Sequence, residues 1–404
     1  MNFEITYWYG PRGEQWNAPD ILKNIKDAGM TLALAEEDIE SNKARLKDFA
    51  EYGLKATVYD FRIGKALEEG ADSERLIREF CEDYREYPAF HSIHIIDEPH
   101  SSKFKKLAEI VRIIKKVAPD KEAYINLFPN YASPEQLGNE TYEEHVNQFV
   151  EIVQPPILSY DHYHFLKSNA EPDPEILSSL ATEREKLIYL DSLKTCNRGG
   201  FFANLEIIRK AALKANIPFM LIVLLVEHGG YRNLTRAEIA YEVWQSMAYG
   251  SKRVSYFTYA CPYDPSWNFQ NACIDNDTKP TQHWYDVQAI NHGLIQVGKQ
   301  LENTVSSGVF HNGKPEPESE LTTAFNGFGG INKAEGYLTL GFFENGNLLV
   351  ANKDYVSAQT VSLVPEKGKK IARFDKETGV WGEAKEGTLT FELSAGDGEL
   401  LKII

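Results

Sequence analysis

Short apolar runs alternate with longer amphipathic stretches along most of the chain. Runs at 4–9, 31–35, 56–61, 92–96, 123–128, 157–163, 219–226 and 254–259 are dense in Val, Ile, Leu and aromatic residues, as strands buried on both faces require. Between them, the stretches 18–28, 42–52, 73–87, 101–118, 142–153, 201–215 and 235–249 repeat apolar residues at helical spacing. Eight strand-then-helix units before about residue 300 predict parallel strands closed into a (β/α)8 TIM barrel rather than an open doubly wound sheet. Another strand-like run, 187–193, falls between the sixth and seventh candidates. It marks either a long excursion or a strand count shifted by one.

The tail has a different rhythm. Alternating runs at 337–343 and 348–352 flank Asn345-Gly346, a strong hairpin signal because both residues tolerate positive φ. Further runs follow at 360–364, 370–374 and 389–393. The pattern predicts a small antiparallel β-sandwich over 305–404, behind a catalytic barrel over 1–304.

The fourth run ends in His91-Ser-Ile-His-Ile-Ile-Asp-Glu-Pro99. A buried strand that stops at two carboxylates and a proline delivers Asp97 and Glu98 to the C-terminal face of a barrel, where such folds build their sites. Other strand ends are equally rich: Trp8 and Tyr9, Asp60, Asn126, then Tyr160-Asp161-His162, Glu227 after a wholly apolar run, and Tyr259. Acids among aromatic rings suit a carbohydrate, since acids move protons and ring faces stack on sugar C–H surfaces. Glycosidic cleavage needs one protonated and one ionised carboxyl, and Glu98 and Glu227 are the candidates, with Asp161 as the substitute partner. A separation of about 5–5.5 Å implies retention of configuration, and about 6.5–9.5 Å implies inversion.

The charge of −16 argues against nucleic acid and anionic membrane surfaces as partners. No apolar run approaches the length of a spanning helix. The first residues lack a basic start and an apolar core, which reads as cytoplasmic, although a trimmed secreted or periplasmic chain would look the same. Four cysteines without C-x-x-C spacing argue against a zinc ribbon or a disulfide scaffold. The expected partner is a carbohydrate substrate, with no cofactor and no metal, and self-association into a homo-oligomer stays open.

Glu98 and Glu227, in that order and spacing, resemble the catalytic pair of clan A glycoside hydrolases. The segment Val243-Trp-Gln-Ser-Met-Ala-Tyr-Gly-Ser-Lys-Arg-Val-Ser-Tyr-Phe-Thr-Tyr259 resembles barrels related to family 42 β-galactosidases. Leu393-Ser-Ala-Gly-Asp-Gly-Glu-Leu-Leu-Lys402 resembles the last strands of the β-domains appended to many glycosidases. The resemblance implies a (β/α)8 barrel, an acid/base at Glu98 ending the fourth strand and a nucleophile at Glu227 ending the seventh. One departure stands out: clan A enzymes usually carry Asn before the acid/base Glu, and here it is Asp97. An ionised acid cannot donate to a sugar hydroxyl. Two other readings use the same barrel: a metal-dependent hydrolase or isomerase built on His162 and His164, and a sugar-binding barrel without catalysis.

Overall fold

The computed structural model describes residues 3–168, 172, 174–193, 195–313 and 321–404. Eight parallel strands form one sheet: β1 (Glu4–Trp8), β2 (Leu32–Ala35), β3 (Lys55–Val58), β4 (Phe90–Asp97), β5 (Glu122–Leu127), β6 (Leu158–Asp161), β7 (Phe219–Leu224) and β8 (Arg253–Phe257). Their order, β1-β8-β7-β6-β5-β4-β3-β2, follows the chain around a ring. Thr31 N donates to Ile5 O at 2.9 Å and brings β2 back beside β1, so the barrel is nearly closed. Every residue of β7 is buried, because its alternate side chains meet the lumen and the surrounding helices.

The run 187–193 is not a strand. It belongs to a helix, Glu183–Leu193, started by a reciprocal cap in which Thr182 N donates to Glu185 Oε2 and Glu185 N donates to Thr182 Oγ1. That capping box overrides the apolar look of the run. The helix lies in an excursion after β6, framed by an antiparallel pairing of Phe165–Lys167 with Thr195–Asn197. The strand count therefore stays at eight.

After the helix Gln282–Leu301, the tail forms antiparallel sheets. One runs through Ser306–Asn312, Leu338–Phe343, Asn347–Asn352, Gly398–Ile403 and Lys370–Asp375, and the other joins Ile331–Glu335, Gln359–Pro365 and Leu389–Leu393. They share an apolar core that includes Leu340, Val350, Val361, Leu363, Phe391 and Leu401. This β-domain leans on the helix Arg236–Ala248, where every residue from Glu238 onward is buried. The approach is close enough to require glycine: a Cβ on Gly341 would lie 1.9 Å from Ala248 O, and one on Gly396 1.9 Å from Ala237 O. Covered on one side by the barrel and on the other by this sheet, the helix has no polar face to show. Among the described residues, no helix is long and apolar enough to cross a membrane.

Candidate active site

The end of β4 is shaped by an irregularity. Its register against β5 slips between His94 and Ile96, so that Ile96 pairs with Ile125 and Asp97 with Asn126. A bulge reverses the in-and-out alternation beyond it. His94 points inward with Tyr124 before the slip, and Asp97 points inward with Asn126 after it. Glu98 then adopts φ +42°, a left-handed conformation that costs a non-glycine residue on the order of 1 kcal/mol. The bond from Glu98 N to Asn126 O, at 2.9 Å, holds it there.

Three carboxyl groups meet as a result. The Asn126 side-chain amide donates to Asp97 Oδ1 and to Asp161 Oδ1, both at 3.0 Å. Its oxygen accepts from Ser159 Oγ at 2.9 Å, so both amide hydrogens are committed and its orientation is fixed. Glu98 and Asp161 are hydrogen-bonded to each other. No Lys or Arg neutralises the trio among the described residues. Crowding by the surrounding protein and then the charge of Asp97 push Glu98 up to about 7, against the opposing hydrogen bond with Asp161. Burial and the charges of Glu98 and Asp97 raise Asp161 well above the usual carboxylate range. Asp97 is exposed in the mouth, yet the protein around it also raises its carboxyl, with the Asn126 bond and His94 opposing. Two carboxyls bonded to each other beside a third charge keep a proton between them at neutral pH.

Around the trio stand Trp8, whose ring lies 5.1 Å from His94 and 6.1 Å from Tyr124, and the pair His94 Nδ1 to Glu36 Oε1 at 2.9 Å. Burial alone would raise Glu36, but His94 and Arg12 hold it below its ordinary value. A second grouping is built from the loops after β6, β7 and β8. Glu227 accepts from Lys167 Nζ at 2.9 Å and from Asn271 Nδ2 at 2.9 Å, and its backbone pairs with Gln270. Trp267, about half exposed, packs beside it against His228. Tyr163 joins the two groupings: its phenol is raised by burial and by the charges of Asp161, Tyr131, Asp97 and Glu98. Its ring lies 5.3 Å from Tyr231 and 6.2 Å from His228.

Several residues expected at the site lie elsewhere. Because Asp161 faces inward, Tyr160 points the other way and is wholly buried among Tyr142, Tyr249 and Glu242. Asp60 caps the helix Phe61–Ala66 and is bonded to Arg62 and Tyr84, a structural role. Tyr259 is enclosed against Tyr7. His162 is enclosed by Asn204, Tyr131 and Phe201, and burial lowers it and His164 to about 3. Their rings are 6.2 Å apart, and His164 lies against Tyr241 and Phe201. Tyr9 is half-buried at the rim with Arg12 over its ring. Ser159, Tyr124, His94, Lys167 and Asn271 were not singled out from the sequence. The alternation Glu122-Tyr124-Asn126 and Ser159-Asp161 could have found the first two, since side chains two apart share a face.

Among the described residues, one grouping of three ligand-type side chains has metal-like spacing: Glu4, His91 and Glu122. It sits at the opposite, N-terminal end of the barrel. Arg253 Nε lies 2.8 Å from Glu4 and its NH2 2.8 Å from Glu122, while Lys55 reaches Glu4 at 3.2 Å. Those cations already occupy the acceptors a metal would need.

No protein-family model matches the chain, and no curated protein matches it. Solved structures do. A glycoside hydrolase aligns over 99% of this chain and 91% of its own at 11% identity, with a TM-score of 0.57. A catalytic mutant of a GH42 β-galactosidase from G. stearothermophilus aligns over 100% and 98% at 9% identity, with a TM-score of 0.55. A β-galactosidase from the psychrophilic Marinomonas ef1 aligns at 10% identity and a TM-score of 0.51, over 74% of this chain and 62% of that one. The chain thus spans less than two-thirds of the Marinomonas enzyme. This chain has their fold. The barrel followed by a β-domain, expected from the clan A resemblance, is present.

Proposed function

We propose that this chain is a glycoside hydrolase that cleaves the O-glycosidic bonds of an oligosaccharide or glycoside by a retaining mechanism. Glu98 is the general acid and then the base, and Glu227 is the nucleophile. One observation carries the reading: Glu98, in the barrel mouth, is held up at about 7 by crowding and by Asp97, which keeps a transferable proton on it at working pH. Glu98 passes that proton to the leaving oxygen as Glu227, whose oxygens act as acceptors for Lys167 and Asn271, attacks the anomeric carbon. The C–O bond to the leaving group breaks and a glycosyl ester of Glu227 forms. Water then attacks the ester, giving its proton to Glu98 and returning Glu227 to a carboxylate.

Asp161 is a poor candidate for the second carboxylate. Bonded directly to Glu98, it leaves no room for an anomeric carbon or a water between them. It acts as a positioning residue that shares the proton. Trp8 and Trp267 offer ring surfaces for sugar faces. The fold shared with glycoside hydrolases supports the reading, and the metal-dependent alternative loses support because His162 and His164 are walled in by aromatic rings.

The test is a panel of aryl glycosides and oligosaccharides of both anomers, followed by 2-deoxy-2-fluoro glycosides of whichever sugar is released. The proposal expects free sugar of retained configuration and a covalent label on the peptide carrying Glu227. A panel left uncut, inverted product, or a label elsewhere overturns it.

A further inference from the structure

Arg198 is a partly buried cation at the mouth that the proposed chemistry leaves unused. It follows the short strand Thr195–Asn197 and is anchored by its own N–H donating to His164 O at 2.7 Å. Its guanidinium carbon sits over the Tyr131 ring, 3.8 Å from the centroid, and 5.8 Å from that of Tyr231. Nε donates to Tyr163 O and NH2 to the Tyr231 hydroxyl, each at 3.3 Å. Both acceptors are uncharged, and NH1 has no protein acceptor among the described residues. Arg62, Arg209, Arg232 and Arg253 each pair with a carboxylate. Arg198 does not.

A guanidinium cannot shed its proton, so partial burial without a counter-charge carries a desolvation cost. Stacking and two neutral acceptors fix its plane and leave one edge available for the forked contact that carboxylates and sulfates accept. Its location is the mouth: Tyr131 feels both Asp161 and Arg198, and Tyr163 packs between the two acid groupings. Asp97, Glu98 and Asp161 would repel an anion unless a cation were placed to receive it.

We infer that Arg198 is an anion-recognition group of the sugar site, and that the substrate bears a uronate carboxylate or a sulfate ester in a subsite framed by Tyr131, Tyr163 and Tyr231. The inference rests on the mouth being a sugar site.

Binding separates it from catalysis. Calorimetry on the Glu98→Gln protein would compare methyl glycosides of glucuronate, galacturonate and 6-O-sulfogalactose with those of glucose and galactose, in both anomers. The expected result is one anionic probe bound about tenfold or more tighter than its neutral counterpart. That ratio falls to about one with Arg198→Gln and is partly kept with Arg198→Lys, and the probe that wins tells carboxylate from sulfate. Neutral probes binding as well as anionic ones, or a ratio that Arg198→Gln leaves unchanged, overturns the inference. Anionic preference without cleavage by the wild-type chain would keep this inference and count against the hydrolase. Cleavage of neutral glycosides with no such preference would do the reverse.

Discussion

The two ends of the barrel carry the same kind of residue in opposite electrostatic states. At the N-terminal end, burial alone would raise Glu4. The His91 hydrogen bond and the charges of Arg253, His91 and Lys55 overcome it and hold Glu4 at about 2. At the C-terminal end, Glu98 is also crowded by the protein, but its charged neighbour is Asp97, and it rises to about 7 against the hydrogen bond with Asp161. Burial is common to both, and the sign of the neighbouring charge decides the outcome. A barrel that neutralises its acids at one end and concentrates them uncompensated at the other separates stability from chemistry.

The two ends should also answer pH in opposite directions. Glu4, depressed when folded, contributes stability above its unfolded value of 4.5 that is lost as pH falls toward about 2. Glu98, raised when folded, contributes stability that is complete below 4.5 and is lost as pH rises through about 7.

Four measurements on three substitutions break or sharpen the contrast. Glu98→Gln should cost about 10²–10⁴ in kcat/KM on a glycoside with a poor leaving group, with the folded circular dichroism spectrum kept. Arg253→Met should strand Glu4 and Glu122 and cost about 3–5 kcal/mol in urea unfolding at neutral pH. Asp97→Asn removes the charge that helps raise Glu98, so the alkaline limb of kcat/KM should move down by about 1 pH unit, and an unmoved limb would separate Asp97 from the acid. Smallest is a stability effect. Glu98→Gln should raise Tm by about 1–2 °C at pH 8 and leave it unchanged at pH 5, where Glu98 already carries its proton.

Much of this was legible in the chain. Eight apolar runs became eight barrel strands because a strand covered on both faces has no polar side to obscure it. The bulge in β4 was not legible: Ser-Ile-His-Ile-Ile reads as plain alternation, which would send Asp97 outward. Tyr160 and Asp161 compete for the same inward position, and only the register against β5 and β7 decides between them. Asp60 carries the same side chain as Asp161, yet it begins a helix, where a cap is worth about 1 kcal/mol. Lys167 and Arg198 escaped notice because an excursion separates them from the site they reach, and no local pattern records such a contact. The capping box Thr182 to Glu185, by contrast, was in plain view ahead of the run that looked like a strand.

The most direct measurement is a ¹³C NMR titration of the side-chain carboxyl carbons, with the Glu98 signal assigned by its loss in Glu98→Gln. The account predicts that this signal, coupled to Asp161, keeps its proton down the acid range and loses it near pH 7. A Glu98 carboxyl that titrates at or below its ordinary 4.5 would contradict the assignment of the general acid and, with it, the contrast between the two ends of the barrel.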